Sequence, residues 1–515
     1  MGRAFGVVSS LTLLSRIFGL VRDMATARVF GDTAVGSAFA AGFAVPNLFR
    51  RLFGEGALSA AAIPRYAAIL KSDRGLSDRY ATLMMAGLTI VSVAVTIVVE
   101  GALLAWVLLS PGDADKRLSI HLVMLFLPFM PLVCVGAVLG GVLQVHGRFA
   151  PMAAQPIVLN ACILAAIGFG LGVLGLSEEA TAVAIAVAVS ASGLIQVGWS
   201  VFALRRHVRW TRVFGGVRGE VRATMRAFVP AVIGLGTIQL NAFVDTLIAM
   251  WPIWVGPTML GLICPLDDAS NSVLFYAQRL YQFPLGVFGI AIASVVFPML
   301  ARESGDPGAF SRVLWRGVRL SLFISVPASV GLLLVAEDLV AVLYGRGGSG
   351  FSEEGARRAT EVLLGYAPGV WAYALNHVLT RAFYARGDTG TPMRVSIAMV
   401  GINLAMNLTL IWWMREAGLA VATTVSAAIQ CAVLWWLLKR NGSLAAHEPA
   451  RLLPMLASAV VMGGCVYGVV LLMPGVDWTG RLIRLVAASC VGVCVFGVLS
   501  VLLRRDELRW LLSKK

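Results

Sequence analysis

Residues 118–145 read LSIHLVMLFLPFMPLVCVGAVLGGVLQV, and no Asp, Glu, Lys or Arg interrupts them. As a helix this run is about 42 Å long at 1.5 Å per residue, longer than the roughly 30 Å hydrocarbon core of a bilayer. A helix with one face in water carries a polar stripe, and this run has none. Asp113, Asp115, Lys116 and Arg117, a net-neutral set, precede it; His146 and Arg148 follow it. A neutral end and a basic end are compatible with the positive-inside rule across a membrane.

The same reading extends in both directions. The chain has 515 residues, of which 58% are hydrophobic and 13% charged. Soluble domains carry roughly a quarter charged residues, so too little polar surface is left to face water on all sides. A window of about 20 residues predicts fourteen spans. Their ranges are 4–30, 34–57, 80–108, 118–145, 151–175, 179–204, 223–250, 272–300, 312–344, 356–384, 391–413, 418–439, 451–473 and 481–504. The first contains Arg16 and Arg22, which a signal-peptide core does not tolerate, so it is expected to be a retained span.

The net charge of +15 sits in short connections, which fits loop placement and not nucleic-acid binding. Alternate connections are basic, for example Lys71, Arg74 and Arg79, or Arg205, Arg206 and Arg209. Those between are acidic or neutral, as at Asp32, Asp113 with Asp115, Glu178 with Glu179, and Asp267 with Asp268, except the ninth-to-tenth, which is mixed: Arg346, Glu353, Glu354, Arg357 and Arg358. Both termini are therefore expected in the cytoplasm, with an even number of spans and a basic tail from Arg504 to Lys515. The seven cysteines lie mostly in apolar runs and read as small hydrophobes.

Two segments echo each other about six helices apart. Arg51-Leu52-Phe53, then Gly56, Ser59 and Pro64, is similar to Arg279-Leu280-Tyr281, then Gly289, Ser294 and Pro298. Gly147 to Met152 is similar to Gly387 to Met393, and Asn160 and Asn403 follow in the next helix. The expected fold is an all-α integral membrane protein with about 14 transmembrane helices. They form two six-helix lobes around a central cavity, plus two C-terminal helices. The boundaries are 1–205, 206–445 and 446–515.

Charges inside spans are costly and mark function by default. Arg16 and Arg22 lie in the first span and point about 120° apart on an ideal helix, with Gly19 between them as a place to bend. Arg50 ends the second span and Arg279 opens the segment that echoes it; each either marks a cytoplasmic edge or lines a cavity. Together the four would present arginine forks suited to phosphate oxygens. Asp245, Asn403, Asn407 and Thr423 form a separate polar set, read either as a cation or proton site or as interhelical hydrogen bonding.

Over essentially its whole length the chain resembles the MurJ/MviN lipid II flippases of the MOP superfamily. The resemblance is carried by Ser15-Arg16 through Arg22-Asp23, by Pro46 through Gly56, and by Tyr276 through Leu280. It implies a transporter, not an enzyme, that moves undecaprenyl-diphosphate-linked disaccharide-pentapeptide from the inner to the outer leaflet by alternating access. The setting would be peptidoglycan biosynthesis, cell wall organization and cell shape, in the bacterial inner membrane and functionally linked to peptidoglycan synthases. Arg16, Arg22, Arg50 and Arg279 would serve the diphosphate, with Asp23 and Glu55 orienting them or touching headgroup. Helices thirteen and fourteen would form a hydrophobic groove for the lipid tail. Na+ would bind at Asp245, Asn403, Asn407 and Thr423; H+ coupling or the membrane potential are other sources of energy, and no cofactor is expected. Ser37 and Gln278 stand where many members carry an acid.

Another MOP transporter, a polysaccharide-lipid flippase or a drug/cation antiporter, is the nearest alternative. A cationic drug calls for carboxylates, and this set is rich in arginine. There is no Gly-x-x-x-x-Gly-Lys-Ser/Thr loop for ATP hydrolysis, and the five histidines form no catalytic cluster.

Overall fold

The computed structural model describes residues 2–49, 57–110, 113–345, 350–442, 452–475 and 477–503. Among the described residues, each of the fourteen expected spans falls on helix. Eight helical stretches among them are long and apolar enough to cross a membrane. They are α4 (Arg74–Leu109), α5 (Ala114–Phe126) with α6 (Phe129–Val145), α7 (Ala150–Gly172), α8 (Glu178–Leu204), α13 (Pro307–Tyr344), α16 (Gly390–Arg440), α17 (Leu453–Leu472) and α18 (Trp478–Leu503). The remaining spans fall on α1 (Gly2–Phe30), α2 (Ala34–Phe49), α9 (Arg218–Ala249) and two broken helices; a further helix, α3 (Ala57–Ser72), begins where the second expected span ends. Of these, α11 (Ser270–Pro284) runs through a π-helical turn at Leu285–Gly289 into α12 (Ile290–Arg302). Likewise α14 (Glu353–Tyr366) runs through a 3-10 turn into α15 (Val370–Ala385).

Helix starts follow the sequence. Asp73, Asp113, Ser177, Asp306 and Ser352 each accept a hydrogen bond from an N–H of the first turn that follows, satisfying donors the helix itself leaves open. The two segments aligned as a repeat end on the same turn. After α6, Gly147 has φ +73°, its N–H donates to Gln144 O and Arg148 N–H donates to Leu143 O. After α15, Gly387 has φ +78°, its N–H donates to Tyr384 O and Asp388 N–H donates to Phe383 O. Both are Schellman caps, which need the left-handed residue that glycine supplies.

By packing, the chain divides into two units: Met1–Ile263 with Asp267–Ser272, and Cys264–Leu266 with Val273–Lys515. The seventh span, α9, packs on α3 and α2 within the first unit. The first packing unit therefore holds α9 together with the helices that precede it. In the first unit Tyr66, Tyr80, Met84, Leu139, Leu143 and Leu204 form one core. Lipid tails are as apolar as side chains, so close fit must hold such helices together. Gly193 of α8 shows it: a Cβ there would stand 2.9 Å from both Leu132 and Phe129.

In the second unit, α12, α13, α15 and α16 share a core that includes Leu300, Phe310, Leu314, Val378, Leu379 and Leu434. The last two helices pack on α13: Met462, Val466 and Ala488 meet Val330 and Leu334. Arg484 adds a two-pronged ion pair to Asp338 of α13, at 2.7 and 2.5 Å.

α16 is two antiparallel helices, as the spans 391–413 and 418–439 anticipate, joined with no loop. The chain reverses at Arg415, whose φ of +51° is left-handed. Gly418 lies so close to the first half that a Cβ would meet Leu410 O at 2.7 Å. A non-glycine residue in such backbone costs of order 1–3 kcal/mol. Arg415→Gly is therefore expected to raise the apparent melting temperature in detergent; a fall would show that the Arg415 side chain outweighs the strain.

At the basic end of the first unit, the Tyr66 hydroxyl is 2.8 Å from His146 Nε2, and the His146 ring lies 4.9 Å from the His207 ring, tilted by 55°. Burial, then His207 and Arg74, push the His146 imidazole below its usual 6.5, against the pull of Asp78. The folded state thus resists a proton that the unfolded chain accepts. Stability from this site is complete above 6.5 and is lost as pH falls through the folded value. The melting temperature should drop on acidification from about pH 7 to about pH 5, and drop less in His146→Gln.

Candidate substrate-binding arginines

The first polar centre sits where α1 packs on α7. Arg22 Nη1 donates to Asn160 Oδ1 at 2.9 Å, while Nε and Nη2 donate to Asp23 Oδ1 at 3.0 and 2.6 Å. The guanidinium also lies 5.3 Å from the Phe43 ring centroid. Arginine has five N–H donors, and these bonds use three. One N–H on each Nη has no partner among the described residues. Both side chains of the pair are largely buried, at 12% and 11% exposed, so the charge acts in a medium less polar than water.

Arg16 is half-buried on the same helix, which runs helical through Gly19. Asn160 spans the interval between the two arginines: its Nδ2 donates to Ser15 O at 3.5 Å. It fills the notch at Gly19, where a Cβ would lie 3.6 Å from Nδ2. The sequence flagged Asn160 only as part of a repeat; its bond to Arg22 bridges 138 positions and has no local signal. Asn160→Ala is expected to cost about 1.5–3 kcal/mol, the worth of a hydrogen bond to a charged group. The check is a lowered melting temperature together with weakened, not abolished, transport.

Arg279 stands on α11 in the second unit, its guanidinium carbon 4.4 Å from the Phe275 ring centroid. The residues around it are firmly seated. Tyr276 is buried against Tyr344 and Phe351, and its carbonyl accepts from the Tyr344 hydroxyl at 3.2 Å. Gln278 Nε2 donates to the Tyr366 hydroxyl at 3.0 Å, and Tyr281 stacks on Tyr366 at 4.4 Å. Arg50 and Glu55, the other two residues expected at this site, lie outside the described residues.

Ser37 has a hydrogen-bonding role in the first unit. Its Oγ accepts from Ser272 N–H at 3.0 Å, its carbonyl accepts from Asn271 Nδ2 at 2.9 Å, and Ser272 Oγ donates to Gly31 O at 2.5 Å. The contact depends on Gly36, where a Cβ would meet Ser272 Oγ at 2.7 Å.

Of the cation set, Asn403, Asn407 and Thr423 lie in α16. Asn403 Nδ2 donates to Thr423 Oγ1 at 3.3 Å and to Ser426 Oγ at 3.4 Å, and Asn407 Nδ2 donates to Asn403 Oδ1 at 3.1 Å. Both amides are fully buried, and Asn403 ties the two halves of α16 together. Their oxygens suit a hard cation such as sodium in kind. Asp245, also buried, belongs to the other unit.

Residues 26–487 match the model of a family described as lipid II flippase MurJ. A probable lipid II flippase MurJ of Vibrio cholerae is 30% identical over 518 residues, covering 96% of this chain and 94% of its own. The lipid II flippase MurJ of Burkholderia cenocepacia is 27% identical over 510 residues, covering 93% and 91%. Among solved structures, a lipid II flippase MurJ in an inward closed conformation superposes with a TM-score of 0.78 at 20% identity, over 98% of this chain and 99% of that one. An inward-facing multidrug-resistance MATE transporter of the MOP superfamily gives 0.70 at 12% identity, over 85% and 98%.

Proposed function

The chain belongs to the lipid II flippase MurJ family, and we propose that it carries lipid II from the inner to the outer leaflet of the bacterial inner membrane by alternating access, for peptidoglycan synthesis. It is a multi-pass membrane transporter and not an enzyme. Arg16, Arg22 and Arg279, with Arg50, bind the diphosphate; Asp23 orients Arg22, and Glu55 completes the set. The observation that carries this reading is the Arg22 fork. Asp23 and Asn160 hold it from one side, and an N–H remains on each Nη for phosphate oxygens. A cationic drug would be repelled by this set, so the MATE likeness is one of fold.

The alternation of basic and acidic connections supports placing both termini in the cytoplasm. The lipid tail is assigned to α17 and α18, whose exposed faces carry Val460, Leu472, Val493 and Leu502. Peptidoglycan synthases would consume the product. Energy comes from the membrane potential, worth about 2.3 kcal/mol per charge per 100 mV, or from Na+ or H+ acting through Asp245, Asn403, Asn407 and Thr423.

The test is a host depleted of its own lipid II flippase, with outer-leaflet lipid II read by a periplasm-restricted toxin that cleaves it. Restored growth and toxin-sensitive lipid II support the assignment. A correctly inserted chain that restores neither overturns the substrate and leaves the fold standing.

A further inference from the structure

The connection between α9 and α11 is a small folded element. It comprises α10 (Trp251–Trp254) and a two-stranded antiparallel hairpin, β1 (Thr258–Met259) with β2 (Leu262–Ile263). Trp254 Nε1 donates to Ser119 Oγ of α5 at 2.9 Å, and its ring meets Trp106 of α4 edge-on at 6.2 Å. Trp251 Nε1 donates to Thr258 O of β1 at 2.9 Å. The hairpin is thus fixed to the last turn of a spanning helix, through indoles of the kind that settle at the bilayer interface. Leu104, Leu108 and Leu109 are exposed on that same turn of α4.

Two facts about the hairpin tip do not suit water. Leu260 is 77% exposed, Leu262 59% and Ile263 84%, an unbroken apolar surface apart from Gly261. The turn residues Leu260 and Gly261 also both have positive φ, +54° and +81°. This is the type I′ pattern, whose first position favours Asn, Asp or Gly because other residues are strained there. In water, asparagine at 260 would relieve the strain and hydrate better. A leucine held against both preferences marks apolar surroundings.

We infer that the β1–β2 tip is an interfacial anchor that seats Leu260, Leu262 and Ile263 in phospholipid level with Trp106 and Trp254. In the proposed orientation this is the outer leaflet. The anchor lies a few residues before α11, which carries Arg279, so it ties the entry to that helix to the membrane surface.

The experiment uses the full chain with its seven cysteines replaced, Ile263→Cys labelled with an environment-sensitive nitrobenzoxadiazole, in vesicles of zwitterionic phospholipid. The expected result is blue-shifted emission, quenched by lipid bearing a nitroxide near the top of its acyl chain and untouched by aqueous iodide. Adding Leu260→Asn, which keeps the turn, should weaken the nitroxide quenching. Iodide quenching without nitroxide quenching overturns the proposal. So does a label that neither quencher reaches, which would mean that protein covers the tip. None of these outcomes depends on the identity of the transported lipid.

Discussion

Arg22→Ala is expected to abolish rescue of a flippase-depleted host while the protein still reaches the membrane. The guanidinium joins α1 to α7 through Asn160 and is held by Asp23, so substrate meets donors already in place. Truncating one member of a buried, hydrogen-bonded charge pair costs about 2–5 kcal/mol, or roughly 30-fold to several thousand-fold in affinity. Arg22→Lys should recover little, because one ammonium cannot engage Asp23 and Asn160 and still offer a fork to phosphate. Alanine also strands the Asp23 carboxylate, so Arg22→Ala with Asp23→Asn is the companion variant. It should restore the melting temperature but not toxin-sensitive lipid II in the outer leaflet. Full rescue by either variant would remove Arg22 from the binding site.

The second large effect is on stability. Arg358 Nε donates to Glu416 Oε1 at 2.5 Å, with side chains only 7% and 2% exposed. The bond fastens α14 to the reversal of α16. Arg358→Met should cost about 3–5 kcal/mol by taking from a buried carboxylate its close partner, with Arg415 left beside it at 3.8 Å. Combining it with Glu416→Met should return most of that loss, because two apolar residues of similar volume replace a pair whose desolvation offsets much of its attraction. Thermal unfolding in detergent reads both. A single variant as stable as the parent would show that water reaches Glu416.

Hydropathy made most spans legible, since it reports the solvent around a segment and lipid leaves a strong mark; the first two, less apolar, were legible only beside their neighbours. It was blind to breaks within a span. Residues 118–145 read as one helix, yet α5 and α6 part around Pro128, and 272–300 hides the π-helical turn at Leu285–Gly289. An interruption packed inside protein keeps its apolar composition, so a window average passes over it. The same distinction holds at the site. Arg22 was visible because an arginine in a span is expensive wherever it points. Asn160 and Tyr366 were not, because an amide or a phenol in a helix is ordinary until its partner is known. The reversal at Arg415 lay between two expected spans, but nothing local announced a left-handed arginine.

That reversal also bears on how the chain is made. The halves of α16 are joined by a single turning residue, so neither can settle in the bilayer before the other emerges from the ribosome; they must enter as a hairpin. Glu416 is the carboxylate buried at its tip; Arg415 stands beside it at 3.8 Å, and its closer partner, Arg358, lies 58 positions earlier in the chain. Arg358 is therefore translated and available before Glu416 has to leave water. Synthesis in this direction presents the closer cation first, and a circular permutant that began between α15 and α16 would deliver the acid ahead of Arg358, with Arg415 alone beside it.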